Sequence, residues 1–316
     1  MKISSESTRY LTGIVGTWCL LTLFSACIHD NREDCPQGIH VQLYSATPCS
    51  TDTIYPAGNA LHLYVFDNNG VLVATGHDGE AALRRDYTHT LQVSDGLFTV
   101  LAWMGVEDTY FDTPADGKSV VTREDVLFRL RRTAQRSVAM GDHKVYYGES
   151  EIVYLPNPEQ YGSIFKTTRI NLQEQTNRIN VTVEGLAEAT HYEVVIESRN
   201  GAMTVGGKPA ADKLVEYPAA TQVTTDGVLQ ASFTTLKLLT GLSTTLVVRS
   251  TTDGTELYRG DLLGTLLLKN PDVDLACDHD FNIAFTTADQ CGCGIYTLME
   301  IWVNNWLVHS YSADLK

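Results

Sequence analysis

The sequence predicts an all-β protein made of two β-sandwich domains in tandem, and three observations lead to this prediction. Apolar and polar residues alternate along most of the chain, as in His40–Tyr44, which is the spacing of a half-buried strand. Turn signals rich in Asn, Asp and Gly separate these short alternating runs. Helical periodicity is rare, and many short strands with few helices are typical of β-sandwiches.

Residues 1–26 have the organisation of a bacterial signal peptide. Lys2 and Arg9 supply positive charge, an uncharged and mostly apolar stretch runs from Tyr10 to Phe24, and Ser25-Ala26 ends it with two small residues. A membrane-spanning helix needs about 20 apolar residues, so this run is too short to span comfortably. We therefore expect export and removal of this segment.

Cys27 follows the two small residues and is the predicted lipidation site. Leu23-Phe24-Ser25-Ala26-Cys27 fits a lipobox, in which the cysteine thiol takes a diacylglycerol thioether, although Phe24 is bulkier than usual. Two or three acyl chains such as palmitate anchor stably, because each buried CH₂ contributes about 0.8 kcal/mol. The alternative is an ordinary signal peptide with a cysteine nearby.

Residues 27–36 are predicted to form the lipidated tether. They include Asp30, Glu33 and Asp34. An acidic, solvated linker explains them, and a signal for display on the outer leaflet explains them equally well. In either case the sequence predicts an exported protein held at a bacterial membrane through Cys27.

The formal net charge of the chain is −15, and loss of the signal peptide makes it one unit more negative. Phosphate binding needs a basic surface, so nucleic acid is not an expected partner. The sequence contains no GxSxG elbow, HExxH helix, P-loop or GxGxxG cradle. We therefore expect no enzymatic activity, no cofactor and no small-molecule substrate.

Five cysteines remain after Cys19 leaves with the signal peptide and Cys27 takes lipid, and exported proteins can form disulfides. A disulfide between Cys35 and Cys49 would close a short N-terminal loop. A disulfide between Cys277 and either Cys291 or Cys293 would close a loop near the C-terminus. Five is odd, so one thiol stays over. The Cys-Gly-Cys spacing lacks the second pair usual for zinc, so no metal is expected. The candidates are Cys35, Cys49, Cys277, Cys291 and Cys293.

Two hairpins and one helix are predicted in the first half of the mature chain. Asp67–Gly70 contains an Asn-Gly pair between apolar runs, the strongest short-range hairpin signal, and Ser94–Gly96 predicts the second hairpin. A helix is predicted at Arg123–Arg132, with Thr122 as its N-cap. The four hairpin strands are Leu61–Phe66, Val71–Ala74, Thr88–Val93 and Leu97–Trp103.

A cluster of Pro, Asn and Gly at Leu155–Gly162 predicts a linker between domains. The predicted domains are residues 37–158 and 159–316, since roughly 290 mature residues suffice for two. Strand patterns resume after the linker. They cover Arg178–Val183, Tyr192–Glu197, Gln230–Leu236, Thr244–Ser250, Asp280–Phe285 and Thr297–Val303.

Four motifs in order resemble a known family. They are Glu33-Asp34-Cys35-Pro36 after the lipidated cysteine, the Val65–Val73 hairpin, the Gly96–Trp103 strand and the terminal Ile301–Val308 segment. The chain is similar in these respects to the FimB-type fimbrial anchor subunits of Bacteroidales, the lipoproteins at the base of type V pili. Met104, where the family often has Gly, and Phe24 depart from the pattern.

The resemblance implies two transthyretin-like β-sandwiches and a role in attaching a pilus shaft to the outer membrane and limiting its length. Fimbrial shaft subunits would be the partners, joined by β-strand addition. The first strand, His40–Tyr44, is expected to stay in place, which leaves the C-terminal strand as the contact. Its candidate residues share one face of the strand by period-two counting, with an ordinary core strand as the alternative. They are Thr297, Met299, Ile301 and Val303.

Two other functions remain open at this point. A surface glycan-binding β-sandwich lipoprotein would need exposed aromatic rings in a row. A tip adhesin of the same pili would share the fold and the export route.

Overall fold

A computed structural model describes residues 36–57, 60–112, 120–289, 292 and 294–311. Almost all regular structure in these residues is β-strand, so the all-β prediction is confirmed. None of the helices in the described ranges combines the length and hydropathy of a membrane span. Cys27 and the signal segment lie outside the described residues.

Among the described residues of the first half there is one short helix, α1 (Pro158–Tyr161). The Asn157 side chain caps its first turn by accepting from the Glu159 N–H at 2.8 Å. The described strands of the first half are β1 (Gly38–Tyr44), β2 (Leu61–Asp67), β3 (Leu72–Asp78), β4 (His89–Gln92), β5 (Gly96–Met104), β6 (Phe111–Asp112), β7 (Val126–Leu130), β8 (Arg132–Thr133), β9 (Arg136–Ser137), β10 (Tyr146–Glu149), β11 (Val153–Leu155), β12 (Phe165–Asn171) and β13 (Gln173–Glu174).

In the part of the second half that the structure describes there are two 3₁₀ turns, Ala189–His191 and Leu267–Lys269, and a π turn, Leu262–Leu266. The described strands of the second half are β14 (Thr176–Glu184), β15 (Tyr192–Ser198), β16 (Ala202–Thr204), β17 (Val215–Tyr217), β18 (Ala220–Val223), β19 (Leu229–Leu236), β20 (Thr245–Ser250), β21 (Glu256–Asp261), β22 (Asp280–Asp289), β23 (Tyr296–Val303) and β24 (Trp306–Ser310).

Two sheets form the first sandwich, with strand orders β12-β1-β4 and β13-β10-β5-β2-β3, and β11 also pairs with β5. Alternate residues of β1 point into the shared core, where Ile39, Val41 and Leu43 pack against residues of β2 and β5. The predicted hairpin at Asp67–Gly70 is confirmed, because β2 and β3 pair in antiparallel across that turn.

The second predicted hairpin is wrong. β4 pairs with β1, whereas β5 pairs with β2, so the chain crosses from one sheet to the other at Ser94–Gly96. Leu91 of β4 and Phe98 of β5 are both buried in the core between the sheets. A turn signal fixes a change of direction, but the partner of each strand is chosen by which apolar face can be buried.

The predicted helix at Arg123–Arg132 is also wrong. The Asp125 side chain accepts hydrogen bonds from the Val121 and Thr122 N–H groups, at 2.8 and 2.7 Å, in a tight turn. The chain then extends into β7, which lies between β16 and β6. Phe128 is fully buried there, so tertiary pairing overrides the local helical signal.

The predicted linker lies within the first sandwich rather than after it. β12 follows the linker and pairs in parallel with β1 over seven residue pairs, and β13 pairs with β10. We therefore propose a boundary after Glu174, where β14 begins to pair with strands of the second half. Pro and Gly marked a real break in regular structure, but a sandwich strand follows it.

The second half has two six-stranded sheets, ordered β18-β19-β14-β22-β23-β24 and β21-β20-β15-β17-β9-β8, and a small sheet β16-β7-β6. β6, β7, β8 and β9 come from the first half, so the two halves are interleaved. One buried cluster contains Leu101 and Trp103 of β5 together with Ile179 of β14. The Trp103 indole N–H donates to the Val205 carbonyl at 2.8 Å, which joins the two halves across this core.

Candidate functional site

The predicted lipidation site, Cys27, lies outside the described residues, as do Cys35, Cys291 and Cys293. The structure therefore describes two of the candidate disulfide cysteines and all four candidate contact residues. The geometry below concerns these two groups, which lie in different parts of the molecule.

Cys49 and Cys277 form a disulfide with their Cα atoms 6.0 Å apart. This corrects both expected pairings, of Cys49 with Cys35 and of Cys277 with a C-terminal neighbour. Cys49 lies in the loop after β1, and Cys277 lies in the loop before β22. The bond therefore links the first strand of the first sandwich to the six-stranded sheet that contains β22, β23 and β24. Sequence spacing favours nearby partners, and no local pattern signals a bond across 228 residues.

An ion-pair cluster lies beside this disulfide. Arg178 of β14 donates hydrogen bonds to Glu174 and to both carboxylate oxygens of Asp280. The distance from Arg178 Nη2 to Asp280 Oδ2 is 2.8 Å. The hydrogen bonds from Arg178 lower the pKa of Asp280. The Lys144 Nζ lies 3.6 Å from Glu174, which is nearly buried. Together these residues tie β13 and the segment before β10 in the first half to β14 and β22 in the second.

Cys49, Asp274 and Cys277 are the one group of potential metal ligands close enough together in the described residues. Both sulfur atoms are already bonded to each other, and a disulfide sulfur is not the thiolate that zinc requires. The arrangement is therefore a covalent link between two loops.

The predicted contact strand forms β23, which is paired on both sides, with β22 and β24. Ile301 and Val303 are fully buried in the core, and they cannot reach a partner while the sheet is intact. For these two residues, therefore, the structure agrees with the alternative interpretation, an ordinary core strand.

A β-bulge divides β23 and changes which residues share a face. Register with β22 shifts between Thr286 and Thr287, which pair with Glu300 and Leu298, so Met299 is the extra residue. Tyr296 and Leu298 consequently pack against the core beside Ile301 and Val303. The predicted common face of all four candidates is wrong, because strict period-two counting fails across a bulge.

β24 forms the outer edge of the six-stranded sheet and is the accessible part of the C-terminal hairpin. Asn304 and Asn305 make the connection with φ angles of 46° and 65°, a conformation that Asn tolerates well in two-residue hairpin turns. Trp306 and Leu307 of β24 are 46% and 40% exposed. An edge strand leaves half of its backbone N–H and C=O groups unpaired.

Polar contacts hold this edge strand against the sheet. The Tyr311 N–H donates to the Met299 carbonyl at 2.7 Å, and a His309 ring nitrogen lies 3.2 Å from the Thr265 carbonyl. Asn270 donates from Nδ2 to the Val303 carbonyl at 3.0 Å. β24 is therefore presented in a fixed position. This hairpin was not among those predicted from the sequence, although the Asn304-Asn305 pair between two apolar runs could have signalled it.

The fold and the exposed edge define a class: an all-β sandwich protein whose accessible sheet edge suits association by strand addition. The family model described as fimbrillin-A associated anchor proteins Mfa1 and Mfa2 matches residues 32–312. The chain therefore belongs to this family. The family resemblance found in the sequence is confirmed.

Individual relatives agree with this assignment. The minor fimbrium anchoring subunit Mfa2 of Porphyromonas gingivalis is 34% identical over 312 residues, covering 96% of this chain and 95% of the relative. The solved structure of the fimbrial anchor protein Mfa2 from the same organism has a TM-score of 0.81 at 33% identity, covering 88% of this chain and all of that one.

A solved structure from Bacteroides thetaiotaomicron, named as a putative polysaccharide binding protein, shares the fold with a TM-score of 0.69 at 18% identity. It covers 89% of this chain and all of the other. At this identity the likeness establishes common architecture alone.

Proposed function

We propose that this chain anchors a fimbrium to the outer membrane: lipid on Cys27 holds one end, and the C-terminal hairpin binds the neighbouring shaft subunit. Its family and its relative's name, an anchoring subunit of a minor fimbrium, support the role. The signal peptide and lipobox of residues 1–27 support the lipid attachment.

The observation that carries the proposed contact is the position of β24 at the open end of a six-stranded sheet. A strand of the shaft subunit would add to β24 through main-chain hydrogen bonds, with Trp306 and Leu307 supplying side-chain contacts. This revises the sequence-based candidate, since β23 itself lies inside the sheet. The proposed contact with the shaft subunit is therefore made by β24, the next strand towards the edge of the sheet.

Retention of the first strand supports the limit on shaft length. β1 lies between β12 and β4, with Ile39 and Val41 buried, so its place in the first sandwich is filled by the chain itself. In the described residues, the position between β12 and β4 is therefore not open to a donor strand from another subunit. Growth at this end of the fimbrium would therefore stop.

The test is co-purification of native fimbriae from cells that express Leu307→Lys, with Val223→Lys as matched control. Val223 is exposed on β18, at the opposite edge of the same sheet, and Leu307 has similar exposure. We expect Leu307→Lys to lower recovery of the chain with fimbriae by about tenfold, the equivalent of 1.4 kcal/mol, and Val223→Lys to leave it unchanged.

Cys27→Ala completes the experiment by testing the membrane end. Cells carrying this variant should shed fimbriae that still contain the chain. If the wild-type chain never co-purifies with fimbrial subunits, the anchor proposal fails. Equal losses for Leu307→Lys and Val223→Lys would retain the anchor role and reject β24 as the contact.

A further inference from the structure

The predicted tether joins the folded part of the chain at one end of the first sandwich. The Gly38 N–H donates to the Ile164 carbonyl at 3.1 Å, and Ser163 donates to the Pro36 carbonyl. In the sheet registers Gly38 pairs with Phe165 and Gln92, and Gly96 pairs with Leu155. We call this the tether end: residues 36–38, α1 and the adjoining ends of β1, β2, β4, β5, β11 and β12.

Exposed apolar side chains concentrate at the tether end. Of the fifteen large hydrophobic residues that are exposed in the described structure, eight lie there, on the adjoining strands or in the loops next to those strands. A concentration of this kind marks an interaction surface. The eight are Val71, Val73, Leu97, Val121, Ile152, Tyr154, Tyr161 and Phe165.

The register of the strands places these residues on both sides of the tether. Tyr154 pairs directly with Leu97 across β11 and β5, so the two side chains share one face. Phe165 stacks on His40 of β1 with ring centroids 4.9 Å apart. Tyr161, in α1, is 65% exposed. Tyrosine has an apolar ring and a polar tip, which suits the boundary between lipid and water.

The length of the tether identifies what this surface faces. Eight residues separate Cys27 from Pro36, so the nine steps between them span at most about 30 Å. A globular chain of this size is about 50 Å across. Because the tether is shorter than the protein is wide, a chain lipidated at Cys27 has its tether end directed towards the bilayer.

From these observations we infer that the tether end is a membrane-contacting surface that rests on the lipid interface and fixes the orientation of the anchor. The inference rests on the proposed lipidation of Cys27. It adds a second, non-covalent contact between protein and membrane, made by apolar and aromatic side chains. With the first sandwich seated on lipid, the C-terminal hairpin has a defined direction in which to meet the shaft.

Charge at the tether end excludes electrostatic attraction as the cause. Among the described residues, Asp67, Asp95, Glu151 and Glu159 lie there, whereas the nearby cations are Lys166 and Arg123, and the Arg123 guanidinium is already paired with Glu149. An anionic bilayer would be repelled, since a polybasic surface is what attracts acidic lipids. The contact therefore depends on apolar burial, and it forms on neutral phosphatidylcholine without added anionic lipid.

The experiment compares Tyr154→Trp with Tyr311→Trp in lipidated protein reconstituted into vesicles of brominated or unmodified phosphatidylcholine. Tyr154 and Tyr311 are 60% and 50% exposed, so both sites tolerate an indole, and Tyr311 follows β24. Thermal unfolding checks the fold of each variant. We expect the fluorescence added at 154 to fall about twofold on brominated lipid, because interfacial groups insert 5–10 Å, and that added at 311 to be unchanged.

The outcomes separate this inference from the lipid-anchor proposal. If wild-type protein purified from membranes does not float with the vesicles, the lipid anchor fails. If it floats but the indole at 154 is quenched no more than the indole at 311, the membrane-contacting surface is rejected while the anchor remains. Stronger quenching on vesicles that contain phosphatidylglycerol would reject apolar contact as its cause.

Discussion

Cys49, five residues after β1, is bonded to Cys277, three residues before β22, across a sequence separation of 228 residues. The bond brings the strand nearest the tether into covalent connection with the sheet that ends in the exposed hairpin. The covalent path from Pro36 to the C-terminal hairpin can therefore run through the disulfide and bypass residues 50–276.

Removing the disulfide should lower the stability of the whole protein. The double variant Cys49→Ser/Cys277→Ser leaves no free thiol at this site, and the chain-entropy relation for a loop of 228 residues gives a loss of about 5 kcal/mol. Chemical denaturation of wild type and variant measures the difference. Reductant should lower the midpoint of the wild type only, and a variant as stable as oxidised wild type would contradict the expectation.

The same bond should shorten the unfolded protein under tension. If force is applied between the tether and the residues after β24, an intact disulfide keeps the 228-residue segment from extending. Reduction should add about 800 Å of contour length, at 3.3–3.6 Å per residue. An optical trap measures this directly, with the double serine variant as control. Equal extension before and after reduction would show that the bond does not span the force path.

The sequence was sufficient to predict the strands with strong alternation. β1, β2 and β22 lie close to their predicted positions, because alternate residues along most of each strand are buried. β5 also lies close to its predicted position, although it is buried on both faces from Val100 to Met104. The hairpin at Asp67–Gly70 was predicted for the same local reason. The family was also recognisable, since its motifs lie on these strongly patterned strands.

The parts that failed are those set by distant contacts. Met299 is bulged because of how β22 meets β23, and the pairing of Cys49 with Cys277 depends on how two sandwiches pack. The strand β7 replaced a predicted helix because β16 and β6 flank it on both sides. None of these relationships leaves a periodic trace in the local sequence.

Trp103→Phe tests the contact between the two halves. Trp103 is fully buried, and its indole donates to the Val205 carbonyl, so phenylalanine leaves both a gap and an unpaired acceptor. We expect a loss of about 2–4 kcal/mol in unfolding free energy. Trp306→Phe, at an exposed site, should change it by less than about 0.5 kcal/mol. Equal losses of unfolding free energy in the two variants would show that the Trp103 contact contributes no more to stability than an exposed tryptophan.

The pair of Arg178 and Asp280 should make stability depend on pH in the acidic range. Hydrogen bonds from Arg178 lower the pKa of Asp280 in the folded protein below its ordinary value of 3.8. The stabilisation is therefore complete well above pH 3.8 and is lost as the pH falls through that value towards the folded pKa. Asp280→Asn should be less stable than wild type at pH 7, and the difference between them should shrink at pH 3.

Denaturation of wild type and Asp280→Asn at several pH values measures this convergence. Asp226→Asn is a suitable control, since Asp226 has no ion pair in the described structure. The stability of Asp226→Asn should equal that of the wild type at every pH. Because the Asp280 side chain is largely exposed, solvent screens the pair, and added salt should reduce the difference at pH 7. A gap between wild type and Asp280→Asn that stays constant from pH 7 to pH 3 would assign the effect to packing rather than to charge.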